Sequence, residues 1–210
     1  MVSLKNELEI DLNVYNSRGE RTTVKNVTAV KMFGETWVRP ESVVKSQLNN
    51  IAIEHKIKPR QLMFLLLMYA PLGRFQEGYV YRQYNLNKML FYQWKELEKI
   101  GLGETFDRYT FKAEKRGPVP EELPNDIEEL SEKGIIKVTG GAGKNATLQA
   151  TLTKEGEQLG EKVWAEIEGE FREITKQVKD KIMPLDPEHL KEIVHSEYPE
   201  YRLLYTELDK

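Results

Sequence analysis

The sequence predicts an α+β fold, a mainly helical domain that follows a β ribbon and carries one β-hairpin. Three observations predict it. Apolar and polar residues alternate through the first forty positions, the period of a half-buried strand. From Glu41 onward apolar residues recur every three or four positions, the period of amphipathic helices. Ile135–Val138 and Ala146–Leu152 are joined by a glycine-rich turn, as the strands of a hairpin would be.

In the ribbon, Leu8, Ile10, Leu12 and Val14 alternate with Glu9, Asp11 and Asn13. Ser17-Arg18-Gly19 supplies a turn, Thr22–Met32 is rich in β-branched residues, and a short strand around Glu35–Val38 ends at Pro40. Two or three strands are rarely stable alone, so residues 1–40 are expected to pack on the core.

Helices come next. Glu41–Glu54 sets Val43, Val44, Leu48, Ile51 and Ala52 on one stripe, and Pro59 opens a second helix where its missing N–H does no harm. That helix is apolar all round, which marks it as the central core helix, and it stops near Pro71-Leu72-Gly73. A third helix over about 85–100 carries Leu86, Met89, Leu90, Trp94 and Leu97, and Gly101 and Gly103 end it.

Thr105–Lys115 alternates again, with Phe106, Tyr109, Phe111 and Ala113 between polar residues, and predicts a strand broken by Gly117-Pro118. Pro120–Lys133 reads as a short helix with Leu123, Ile127 and Leu130 inward, closed by Gly134. Ile135–Val138 and Ala146–Leu152 form the hairpin around the glycine-rich turn Thr139–Asn145. One long helix is predicted from Thr153 to about Met183, with the stripe Leu159, Val163, Ile167, Phe171, Ile174, Val178 and Ile182. Pro184 stops it, and a last helix spans about Asp186–Ser196. Helix, helix, strand, helix, hairpin is the order of a winged-helix domain with the glycine-rich turn as wing tip. The expected organisation is therefore a ribbon over 1–40, a winged-helix core over 41–152, and a long helix with a helical tail over 153–210.

The 210 residues contain 40% hydrophobic and 31% charged residues and no cysteine. Absent cysteine excludes disulfides, thiolate zinc sites and cysteine nucleophiles. The longest apolar run, Leu62–Ala70, falls short of the roughly 20 residues of a spanning helix. Met1–Ile10 is charged where a signal peptide would be apolar, so a cytoplasmic location is the expectation. Frequent Lys and Glu without Cys also suits a thermophile. The net charge of −3 conceals an asymmetry. Residues 1–116 hold 19 Lys and Arg against 13 Asp and Glu, and residues 117–210 hold 12 against 21.

No stretch carries a complete catalytic set. Gly143-Lys144 is followed by Asn145 instead of the Ser or Thr of a phosphate loop, Val138 replaces its first glycine, and no helix begins after it. Ser42-Val43-Val44-Lys45 has the spacing of a lysine-assisted serine, but Ser-Asp-Asn and Lys-Thr-Gly are absent and the first turn of a helix explains it. His55 falls at a helix end, where a cation complements the dipole. Glu192-Ile193-Val194-His195 has di-metal spacing in a single copy, with His189 off that face. Glu121-Glu122 and Glu128-Glu129 are sequence neighbours and do not face one another on a helix. No catalytic residue, metal site or cofactor is expected, and the chain reads as a non-enzyme.

Binding surfaces are the better prospect. The helix ahead of the hairpin, where a DNA reader would meet the major groove, carries Glu121, Glu122, Asp126, Glu128, Glu129 and Glu132 against a lone Lys133. Phosphates repel such a helix. Basic residues lie elsewhere: Arg108, Lys112, Lys115 and Arg116 on the predicted strand, Lys137 and Lys144 on the wing, and Lys25, Lys31, Arg39 and Lys45 near the N-terminus. Arg108, Lys112 and Arg116 share parity and would line one strand face, to bind a partner protein or a nucleic-acid backbone, or only to pair with the acidic helix beside it. The stripe of helix 153–183 would serve either as a homodimer seam or as packing against its own domain.

Three stretches together resemble a known group. Asn87-Lys88-Met89-Leu90-Phe91 is similar to its core helix, and Phe111–Val119 with Gly117-Pro118 to its strand ending in Gly-Pro. Asp126 through Gly134-Ile135-Ile136, then Thr151-Leu152-Thr153-Lys154-Glu155-Gly156, resembles its leucine–glycine–isoleucine approach to a wing and Leu-Thr-x-x-Gly exit. The tail Ile193–Tyr201, with Tyr198-Pro199-Glu200-Tyr201, is similar to its ending. The pattern resembles the SocA-like or Panacea domain of antitoxins and related archaeal and bacterial winged-helix proteins, over roughly 59–201. Arg116 stands where that group has an aromatic. The resemblance implies a non-enzymatic domain that binds a partner protein, often a toxin, and brings no catalytic residues. The leading expectation is thus an antitoxin-like interaction protein. The alternative is a DNA-binding transcription regulator that uses the basic ribbon, strand and wing.

Overall fold

β1 (Glu7–Tyr15), β2 (Arg21–Met32) and β3 (Glu35–Val38) form an antiparallel sheet in that order. The computed structural model describes residues 7–15, 21–32, 35–38, 40–72, 79–102, 107–140, 148–167 and 169–202. On β1, half-buried Leu8, Ile10, Leu12 and Val14 alternate with exposed Glu9, Asp11, Asn13 and Tyr15, as the pattern predicts. On β2 the buried residues are Val24, Val27 and Ala29. That uneven spacing has a cause in the register: Ile10 lies opposite Val27 but Leu12 opposite Val24. β2 therefore holds an extra residue at 25–26, where Asn26 takes φ 57° and its N–H donates to Asp11 Oδ1 at 3.3 Å.

α1 (Pro40–Glu54) lies along β2. β3 pairs only with residues 29–32, which leaves carbonyls of the first part of β2 without a strand partner on that side. One stripe of α1 supplies donors to them: Ser42 Oγ to Thr28 O (3.0 Å), Ser46 Oγ to Asn26 O (3.0 Å) and Asn50 Nδ2 to Lys25 O (3.2 Å). Ser42 of the Ser-x-x-Lys stretch is thus engaged with the backbone of the ribbon.

α2 (Pro59–Tyr69) is the core helix, with Gln61 to Met68 buried without interruption. β4 (Tyr81–Arg82) leads into α3 (Gln83–Lys99). A small hairpin, β5 (Phe111–Lys112) and β6 (Val119–Pro120), precedes α4 (Leu123–Glu132). β7 (Ile136–Thr139) and β8 (Gln149–Leu152) are antiparallel, and β4 pairs with β8, giving a second sheet in the order β4-β8-β7. α5 (Lys154–Glu166), α6 (Glu170–Ile182), α7 (Pro187–Glu197) and a 3-10 turn at Pro199–Tyr201 follow. α2 is covered by α5 and α6, and α3 by α6. Gly160 lets α5 approach α2 closely: a Cβ there would lie 2.6 Å from the ring of Tyr69. No helix among the described residues is long and apolar enough to cross a membrane.

Two predicted elements are corrected. The helix expected over 153–183 is two helices. α5 ends at Glu166, Ile167 is extended (ψ 126°), and Gly169 takes φ 82°, a left-handed conformation that favours glycine. Its stripe is also spent within the chain: Val163, Ile167, Phe171, Val178 and Ile182 are buried, and Leu159 and Ile174 pack on the same core. The seam proposed for a homodimer through 153–183 is therefore internal packing. Of the strand expected over Thr105–Lys115, Thr105 lies with Phe106 outside the described residues, and from Asp107 on only Phe111–Lys112 is strand. Thr110 N donates to Glu122 Oε2 (2.8 Å) and Thr110 O accepts from Glu121 N (2.9 Å), so this segment is tied to the approach to α4. The turn closed by Gly117 N–H to Glu114 O (2.8 Å), with Gly117 at φ 88°, then reverses it. The turn at Ser17-Arg18-Gly19, the wing tip from Gly141 on, Gly73, Gly103 and Phe106 lie outside the described residues.

Lys179 of α6 is fully buried and donates to Met68 O (2.7 Å) and Ala70 O (2.6 Å), carbonyls at the end of α2 that the helix itself leaves without donors. Tyr81 OH also donates to Met68 O, at 2.5 Å. Burial lowers the Lys179 pKa to about 7.

Candidate partner-binding surface

α4 shows what its acidic residues do. Leu123, Ile127 and Leu130 anchor its inner face. Asp126, beside Ile127, is also fully buried. Arg60 of α2 reaches it with Nε to Oδ2 at 2.6 Å and Nη2 to Oδ1 at 3.2 Å, and Gln61 Nε2 donates to Oδ1 at 3.0 Å. Arg60 Nη1 also donates to Asp107 Oδ1 at 3.0 Å. These bonds, led by that to Asp126, hold the guanidinium pKa above its ordinary value. Burial and the nearby Asp126 carboxylate push the Tyr109 phenol well up.

Glu129, one turn from Asp126, accepts from Lys58 Nζ (2.6 Å) and Gln61 Nε2 (2.6 Å), and the lysine bond holds its carboxyl below the usual range. Glu122 accepts from the Thr110 N–H, and Lys133 Nζ donates to Lys56 O at 2.7 Å. Three of the six acids are therefore engaged in holding α4 to α2 and to residue 110. Glu121, just ahead of the helix, and Glu128 and Glu132 on it remain exposed, with Asn125 also exposed between them. The solvent face of α4 is acidic and polar.

The basic candidates do not form one stripe. Arg108, in an irregular segment, pairs with Glu98 (3.6 Å) and lies 5.4 Å from the Trp94 ring. Lys112 on β5 pairs with Glu114 (3.5 Å). Lys115 and Arg116 are exposed in the turn after β5, where the Arg116 carbonyl accepts from Tyr84 OH (3.4 Å). Lys137 is exposed on β7, in the other sheet. Lys144 lies outside the described residues. The parity of 108, 112 and 116 predicts a shared face only for a continuous strand, and the chain is not one there.

An aromatic cluster that sequence reasoning missed covers the face of α3 beside β5. Trp94 stacks on Phe111 (5.3 Å between centroids, 12°), and Phe91 meets Phe111 (5.3 Å), Tyr198 (4.9 Å) and Tyr201 (4.8 Å) edge-on. Lys95 Nζ lies 4.2 Å from the Trp94 ring centroid. The tail continues into a parallel backbone β-bridge between Arg202 and Glu114. The available signal was two aromatics three apart on α3 and two tyrosines three apart in the tail.

The short stretches that carry the resemblance meet in space. Lys88, fully buried, donates to Pro118 O at 2.7 Å, and a Cβ on Gly117 would lie 3.0 Å from Val194 Cγ1 and 3.3 Å from Lys88 Nζ. Thr153 Oγ1 donates to Gly134 O (2.5 Å) and accepts from Gly156 N (3.0 Å), while a Cβ on Gly156 would collide with Ile135 O. These residues lock elements together inside the fold.

Of the histidines, His189 pairs with Asp186, which also caps α7 by accepting from Glu188 N and His189 N. Burial lowers the His195 pKa. Among the described residues no group of three or more His, Asp or Glu is placed to hold a metal ion. A cleft of about 380 Å³ lies between α2, β4 and α5, walled by Tyr69, Tyr79 and Tyr81 and rimmed by Lys154, Glu157 and Glu161. Compared with known proteins, the chain matches no family model and no curated protein.

Proposed function

We propose that the protein is a winged-helix interaction module that binds a partner protein through the exposed face of α4, in the manner of the SocA-like or Panacea antitoxin domains its motifs resemble. The winged-helix reading is supported by the order α2-β4-α3, then α4-β7-β8 after an intervening β5-β6 hairpin, together with the sheet order β4-β8-β7, in which α4 is the helix ahead of the wing. The antitoxin-like reading is supported by the convergence of Lys88, Gly117-Pro118 and Val194 at one point.

One observation carries the choice of a protein partner. The side chains left to solvent on and just ahead of α4 include Glu121, Glu128 and Glu132, while Arg60 and Lys58 are paired with Asp126 and Glu129 and Lys133 donates to the Lys56 carbonyl. Set in a major groove, such a face would meet phosphates with like charge. A basic protein surface complements it, and charge complementarity favours encounter and register.

The test is affinity purification of the tagged chain from its own host, beside the triple variant E121Q/E128Q/E132Q. A protein retained by the native chain and lost from the variant supports the reading, and one held equally by both contradicts it. The competing reading, a DNA-binding regulator, would rest on exposed Arg116 and Lys137. A salt series with duplex DNA decides between the two.

A further inference from the structure

We propose that two copies of the chain form a two-fold dimer by pairing β1 with β1 of the second copy, antiparallel, with Leu12 on the axis. The two sides of the ribbon sheet are treated differently. Beyond β3, the carbonyls of β2 receive donors from Ser42, Ser46 and Asn50 of α1. The outer edge of β1 has no strand partner among the described residues. Proteins usually blunt such an edge with a bulge, a proline or a lysine. Here the extra residue sits on β2, opposite Asp11, and the nine residues of β1, ELEIDLNVY, contain no lysine or proline. Its apolar side chains Leu8, Ile10, Leu12 and Val14 are only half-buried, and Tyr15 is 67% exposed.

The sequence of β1 selects both the occupant and the register. Antiparallel self-pairing keeps like faces together, so opposed residues must share parity. An axis at Ile10 sets Glu9 against Asp11 twice, and an axis at Asp11 sets that carboxylate against its own copy. An axis at Leu12 sets Ile10 against Val14, Asp11 against Asn13 and Glu9 against Tyr15, with no like-charge pair over residues 9–15. Moving the axis to Asn13 shortens the paired stretch to 11–15. In the Leu12 register the acidic half of each strand also approaches the half flanked by Arg21, which lies opposite Tyr15 in the β1–β2 ladder and bonds Asn13 Oδ1 at 3.0 Å. The interface is self-complementary and closes on itself, as a two-fold contact must. It is independent of the proposed partner surface, since it uses none of the α4 face.

The experiment is sedimentation of the full chain over about 1 to 100 µM. The native chain is expected to dimerise with concentration. Asn13→Asp keeps the acceptor for Arg21 and Thr23 but sets two carboxylate pairs across the axis, and is expected to weaken the dimer about tenfold. Adding Asp11→Asn, which keeps the acceptor for Asn26 N–H, removes both pairs and restores it. Because the chain has no cysteine, Leu12→Cys is expected to give a disulfide-linked dimer on oxidation. A native chain that stays monomeric throughout, a dimer indifferent to Asn13→Asp, or no cross-link at Leu12→Cys in a dimeric sample would overturn the proposal.

Discussion

Lys88 Nζ lies 2.7 Å from the Pro118 carbonyl oxygen, and both residues are buried. Lys179 repeats the arrangement at the end of α2, with two carbonyls as acceptors. The Glu114 carboxylate offsets a little of the cost of burying the Lys88 ammonium, whereas burial alone acts on Lys179. Burial lowers both pKa values to about 7. In the unfolded chain a lysine binds its proton up to about pH 10.4. Between those limits the unfolded state holds more protons, so stability rises with pH from about 7 toward 10 and is flat below 7 with respect to these groups.

Tyrosines set the upper limit. Burial raises the phenols of Tyr81 and Tyr92, and that of Tyr84 to about 12. Above about pH 10 the unfolded chain loses phenolic protons that the native state keeps, and stability falls. Chemical denaturation across pH 6 to 11 is expected to show a maximum near pH 10, on the order of 5 kcal/mol above the value at pH 7 once the onset of tyrosine ionisation is set against the two lysines. A maximum at pH 5 to 7 contradicts the placement of the two lysines.

Lys179→Met separates charge from hydrogen bonding. At pH 10 the native lysine is neutral and the variant loses two donors to buried carbonyls, a cost of about 2 kcal/mol. At pH 6 the variant also escapes the burial of a charge, so the cost shrinks or changes sign. Urea midpoints at the two pH values check this.

The pairing of Asp126 with Arg60 predicts a steep contrast along α4. Asp126→Ala leaves the mostly buried Arg60 without its closest carboxylate and is expected to cost about 3–5 kcal/mol. Glu128→Ala, on the exposed face two residues away, is expected to stay within about 0.5 kcal/mol of the native chain. Thermal denaturation distinguishes the two directly.

Glycines give a second contrast. Gly156→Ala drives a methyl into the Ile135 backbone and is expected to cost about 3 kcal/mol, because no flexible side-chain end can yield. Gly134→Ala meets nothing within 4 Å and bears only the strain of φ 70°, about 1 kcal/mol. Equal costs would show that the close approach of α5 to residue 135 is wrong.

The parts of the fold legible in the sequence are those whose signal is local. Pro59 and the unbroken apolar run mark α2, and Asp186 marks the start of α7. The break at 167–169 was not legible, because Val163, Ile167 and Phe171 keep a spacing of four straight through it and only Gly169 hints at a stop. β4 is too short to show any period. The alternation of Tyr109, Phe111 and Ala113 was real, but at Phe111 it reflects packing on Phe91 and Trp94 more than a ladder. For the candidate surface, the acidity of α4 was plain in composition. That Asp126, Lys88 and Lys179 are buried was not, since a charged residue beside an apolar stripe reads as solvated until its partners, dozens of residues away, are known.

On the proposed reading, the exposed carboxylates of α4 repel the phosphates of DNA. The most direct measurement is fluorescence anisotropy of a labelled mixed-sequence duplex titrated with the native chain and with the variant E121K/E128K/E132K at about 50 and 200 mM salt. The native chain is expected to bind no tighter than about 100 µM at either salt, and the charge-reversed variant to bind in a salt-sensitive way. Tight, steeply salt-dependent binding by the native chain would contradict that reading.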